Sequence, residues 1–135
     1  MPIDAPDYVL WSQHVEVVVS SPVPVGAATE ICISRLNDAS DSAQVYTTVL
    51  SYTAPASTVT IIYGLELYSD NFPKTLWRLT IGGTEQWANK ELPASLNMIF
   101  SDARIAAGTV VLLEGKSSDG TTVQMWGHLE GKEVS

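Results

Sequence analysis

The amino-acid sequence predicts an all-β domain, an antiparallel β-sandwich of jelly-roll type with about eight strands. Three observations predict it. Apolar residues recur with period two in short runs, the alternation expected of strands that bury one face. The runs are bounded by Gly, Pro, Ser, Asn and Asp at spacings of about a dozen residues. No stretch sustains the 3.6-residue periodicity of an amphipathic helix. A chain of 135 residues can bury a core unaided, and no linker-like segment divides it, so residues 1–135 read as one domain.

The first run, Val9 to Val19, is rich in β-branched residues and stops at SSPVPVG, where Pro22 and Pro24 exclude central-strand pairing. Thr29 to Leu36 follows, with Ile31 and Ile33 on one face. The turn-rich NDASDS then leads, by a hairpin or a sheet-to-sheet crossing, into Gln44 to Thr53. After APAS, Thr58 to Tyr68 reads as a half-buried strand. Val59, Ile61, Tyr63, Leu65 and Leu67 share one side of it, and Thr58, Thr60 and Glu66 the other. The loop SDNFPK precedes a hairpin of Leu76 to Ile81 and Thr84 to Trp87, because Gly82-Gly83 readily supplies the positive φ values of a tight primed turn. Leu96, Met98 and Phe100 alternate with Asn97 in another strand, and SDARIAAG reads as a loop. Thr109 to Lys116 then joins Thr122 to Glu130 through Ser117-Ser118-Asp119-Gly120, which reads as a closing hairpin.

Fifteen acidic residues against 7 basic ones give a net charge of −8, which repels phosphate backbones and anionic lipid at long range. No nucleic-acid or membrane partner is expected. The acidity is uneven: up to Glu66 the only basic residue is Arg35. Solubility accounts for this, and so does a contact guided toward a basic partner surface. Lone Cys32, between Ile31 and Ile33, reads as an inert strand thiol. The start MPIDAPDYVL lacks the basic and apolar regions of an ordinary secretion signal, and no apolar run approaches roughly 18 residues. The expectation is a soluble chain.

Catalysis finds little to work with. The only histidines, His14 and His128, fall on the polar faces of their strands, where a solvated side chain is the simpler reading than a general base. No C-x-x-C, H-E-x-x-H or D-x-D-x-D-G pattern occurs, so no metal or other cofactor is expected. Asn37-Asp38 with Asp41, and Asp70-Asn71, could offer oxygens to calcium but read better as turn formers.

Aromatic and two-sided strands are more informative. Trp77 shares a face with Leu79 and Ile81 and reads as core. In Val123 to Glu130 the apolar side is Val123, Met125 and Leu129, which leaves Trp126 beside Gln124 and His128 on the nominally solvated side. Such a residue marks an interface or ligand platform, or lies under a loop of its own chain. Val110 and Leu112 face one way while Val111 and Leu113 face the other, and Val17, Val18 and Val19 repeat the pattern. A strand apolar on both sides is either central and covered or packs on another subunit. Homo-oligomerisation is therefore expected.

The stretch IFSDARIAAGTVVLLEGKSSDGTTVQMWGHLEGKE, with its Ala-Gly-Thr-Val strand entry, Ser-Asp-Gly-Thr-Thr turn and Gly-His-Leu-Glu-Gly-Lys close, resembles the C-terminal half of small β-sandwich proteins on tailed-phage virions, of the capsid decoration, cementing or head-fibre type. The resemblance runs from Leu65 onward. It implies a non-enzymatic module that assembles, commonly as a trimer, on a major capsid or other virion protein and strengthens the shell. The alternative is a carbohydrate-binding module that stacks a glycan on Trp126, Trp87 or Tyr68. The interface candidates are Trp126, His128, Val110, Leu112, Val18, Trp87 and Tyr68.

Overall fold

The computed structural model describes residues 29–135. The expected strand at Val9 to Val19, with His14 and Val18, lies outside them. The described residues form eight strands: β1 (Glu30–Asp41), β2 (Thr47–Thr53), β3 (Val59–Ser69), β4 (Thr75–Ile81), β5 (Thr84–Lys90), β6 (Leu96–Ala106), β7 (Val110–Ser117) and β8 (Val123–Val134). They make two four-stranded sheets, ordered β1-β8-β3-β6 and β2-β7-β4-β5, and every pairing is antiparallel. The chain changes sheet between β1 and β2, β2 and β3, β3 and β4, β5 and β6, β6 and β7, and β7 and β8. This is the jelly-roll topology, and the sandwich is as the sequence predicts.

Inward-facing residues of both sheets form the core. Trp77, Leu65, Leu67, Leu113, Met125, Leu129, Val49 and Val123 are completely or almost completely buried there. Two sets of buried polar groups are paired across it, whereas the Trp77 indole Nε1 has no partner among the described residues. Ser69 Oγ and Thr75 Oγ1 lie 2.7 Å apart, and Tyr52 donates its hydroxyl proton to Glu133 at 2.6 Å. Burial and then the Glu133 hydrogen bond push the Tyr52 hydroxyl above its ordinary range.

Four local expectations are corrected. The Ser117–Gly120 turn forms, with Gly120 at φ 94° and the Ser117 hydroxyl accepting from Gly120 N, but β7 and β8 belong to different sheets. It is a crossing, not a hairpin. Second, β1 continues through Asn37–Ser40 to Asp41, because it is an edge strand whose polar side chains find partners. Asn37 Nδ2 donates to Val49 O at 2.8 Å, and Asp38 accepts from Gln124 Nε2 at 2.8 Å. Third, β6 runs on through most of SDARIAAG, because Ala103 and Ile105 pack against the core.

The fourth correction concerns β3. Ile62 pairs with Gly131 and Gly64 with Glu130, so Tyr63 is an extra residue relative to β8. A bulge of this kind reverses which face later side chains take. Val59 and Ile61 consequently face outward while Leu65 and Leu67 enter the core, so the five residues expected on one side are divided between two. The Gly82-Gly83 hairpin of β4 and β5 does form as expected, with φ values of 58° and 80°.

Candidate functional site: the outward face of the β1-β8-β3-β6 sheet

Strand β8 lies between β1 and β3, and its alternation is as the sequence predicts. Val123, Met125 and Leu129 are completely buried, while Gln124, Trp126 and His128 point away from the core. The register places Asp38 and Tyr68 on either side of Trp126, and Leu36 and Glu66 on either side of His128. One step further, Ser34, Glu130, Gly64 and Ile99 lie in line across all four strands.

The apolar members of this face are unusually open. Leu36 is 69%, Tyr68 48% and Ile99 81% exposed. Trp126 is half-buried because Tyr68 covers part of it, with ring centroids 5.2 Å apart and planes tilted by 54°. Phe72 meets the other side of Tyr68 edge-on, at 5.5 Å and 85°. Leu36, Glu66, Tyr68, Trp126 and His128 line a shallow hollow of about 60 Å³. That is far below the roughly 300–1,000 Å³ of clefts that take small-molecule ligands. Ser34 Oγ and His128 Nε2 lie 2.8 Å apart at its rim, which holds the imidazole against the sheet.

Of the candidates named from sequence, Trp126, His128 and Tyr68 are thus brought together. Val110 and Leu112 lie on the outward face of the other sheet. There β7 is central, and these half-buried residues sit among Thr53, Ser51 and Thr80 of β2 and β4. Trp87 faces the core from β5, opposite Leu79, and lines a cleft with Lys90, Leu92 and Leu96 where the sandwich edge opens. Leu36 and Ile99 are not among the sequence candidates. Ile99 was visible in the alternation of Leu96, Met98 and Phe100, which turns it outward with Asn97. Leu36 was obscured by the polar residues that follow it.

Most of the oxygens considered for calcium are engaged within the chain, while Asp41 Oδ2 is buried without a hydrogen-bond partner among the described residues. Asp38 binds Gln124, Asp41 Oδ1 accepts from Ala43 N, and Asp70 Oδ1 accepts from Gln124 N. Among the described residues no three His, Cys, Asp or Glu side chains cluster as metal ligands, and no helix is long and apolar enough to cross a membrane. Cys32 is exposed on the outward side of β1. No protein-family model matches the chain, and no curated protein matches it.

Proposed function

We propose that this chain is a non-enzymatic virion structural protein, a decoration or cementing subunit that assembles as an oligomer, with a trimer favoured, on a phage capsid and stabilises the shell. The observation that carries the reading is the outward face of the β1-β8-β3-β6 sheet. Leu36, Tyr68 and Trp126 present apolar surface around one hollow, and Ile99 is exposed further along the same sheet, whose other side already supplies the core. Such surface marks a contact with another protein.

Glycan stacking asks for an exposed aromatic platform. Here the Tyr68, Trp126 and Phe72 rings pack on one another at steep angles, and Trp87 faces inward, so assembly is the better-supported use.

The test is co-sedimentation of the purified chain with capsids stripped of it, alongside light scattering of the chain alone. Saturable attachment that Trp126→Ala abolishes is expected, together with an oligomer in solution. A strict monomer that binds glycans and leaves capsids untouched would overturn the reading.

A further inference from the structure

We infer that the part of this face around His128 docks a basic protein surface bearing an apolar side chain, and that two copies of the chain do not meet there face to face. The inference rests on the assembly reading and adds the chemistry of the partner.

Charge selects the partner. Leu36, Tyr68 and Trp126 wall the hollow, and Asp38, Glu66 and Glu130 surround it from β1, β3 and β8. Among the described residues no Lys or Arg shares these rungs of the sheet. Arg35 is opposite Leu129 on the other side of β1, where its charge acts on Tyr52. Lys132 lies beyond Glu130 and is paired with Glu30 at 3.0 Å.

An apolar surface that excludes water strengthens whatever electrostatic contact forms at its border. Two copies meeting across a two-fold axis would press this acidic border against itself. The chain's own first 28 residues carry Asp4, Asp7 and Glu16 with no Lys or Arg, so they are no better matched. Nucleic acid and anionic lipid are repelled. The complementary surface is a protein patch with Lys or Arg around a projecting aliphatic or aromatic side chain. The hollow takes the apolar side chain and the rim carboxylates take the cations.

The test uses a synthetic peptide of alternating Leu and Lys as probe, titrated into the full chain at low and at physiological salt. Three proteins are compared: the native chain, the pair Glu66→Gln with Glu130→Gln, and a control pair on distant exposed acids, Glu85→Gln with Glu91→Gln. At least a tenfold loss of affinity is expected for the first pair and less than twofold for the control. Leu36→Ser should weaken binding with an unchanged salt dependence. Equal weakening by both pairs would mean attraction to net charge alone and would overturn the inference. So would a low-salt dimer that Trp126→Ala dissolves. Attachment to capsids separates this inference from the reading beneath it. Loss with Trp126→Ala, but neither with the Glu66/Glu130 pair nor with salt, would leave assembly standing and remove the basic partner. No loss with Trp126→Ala would remove both.

Discussion

On the outward face of the β2-β7-β4-β5 sheet, charge and aromatic surface are matched within the chain, whereas around His128 on the outward face of the β1-β8-β3-β6 sheet they are left open. In the first, Arg78 Nε donates to Glu114 Oε1 at 2.8 Å, and the guanidinium lies 4.2 Å from the Tyr46 ring centroid with Lys116 at 4.5 Å. The Tyr46 hydroxyl donates to Asn89 Oδ1 and accepts from Asn89 N. The carboxylate of Glu114 holds Arg78 above its ordinary pKa, and Tyr46 and Glu85 add to the effect. In the second, Leu36, Tyr68 and Ile99 are exposed, and Glu66 and Glu130 stand near His128 with no Lys or Arg on their rungs. Both sheets solve the same folding problem on their inner sides. The difference shows that a jelly roll has one face per sheet that folding does not use, and that here one of the two is already satisfied.

The comparison can be broken most severely at Gly131. A Cβ there would collide with the Ile61 carbonyl and the Ile62 backbone, which are backbone atoms at the β3 bulge and cannot swing aside. Gly131→Ala should cost about 3 kcal/mol by overpacking, seen as a lowered denaturation midpoint, and should remove the apolar face along with the sheet that carries it.

The next largest effect contrasts two sides of one strand. Leu129→Ala should lose about 3 kcal/mol by leaving a cavity, whereas Trp126→Ala should lose only about 1 kcal/mol because the ring faces away from the core and is only partly buried. If Trp126→Ala destabilises the isolated chain as much as Leu129→Ala, the ring belongs to the core and the contrast between faces fails.

On the satisfied face, Arg78→Ala leaves the nearly buried Glu114 carboxylate without its cation. Because Arg78 is about one-third exposed, the loss should be about 1 kcal/mol, read by urea denaturation, with capsid attachment unchanged. Loss of attachment would show that this face also binds.

The smallest effect is at the β7–β8 crossing. Lys74, at 2.6 Å, and then Thr121 hold the Asp119 carboxyl down at about 2. A depressed carboxylate contributes stability above its unfolded pKa and loses it as pH falls through the folded value. Asp119→Asn should therefore lower the melting temperature slightly near pH 6, with a difference that shrinks as pH falls through about 2 and vanishes only below it, where both proteins carry a neutral side chain. A difference that does not shrink on acidification would assign the effect to the turn geometry instead.

Much of the site was legible in the sequence. The alternation in β8 placed Trp126 and His128 opposite the apolar Val123, Met125 and Leu129, because strand side chains alternate by covalent geometry alone. The Asp-Gly and Gly-Gly turns were legible for the same local reason: their dipeptides favour positive φ. β7 was correctly read as apolar on both sides, although its second face sits among threonines and a serine at the centre of a sheet.

What local geometry cannot carry is which strands become neighbours. Leu36, Tyr68 and Trp126 are separated by dozens of residues and meet only because β8 inserts between β1 and β3. The same non-local pairing decided that the Ser117–Gly120 turn crosses between sheets, and that polar Asn37–Ser40 remains strand beside β8. The bulge at Tyr63 belongs here too. A period-two reading of β3 continues straight through it, and only pairing with both β6 and β8 shows the slip that turns Leu65 and Leu67 inward. The sequence by itself thus determined an all-β sandwich and the side of β8 on which to look. The tertiary structure alone decided what stands next to Trp126, because contact across a sheet depends on strand order and register, which alternation along one strand does not encode.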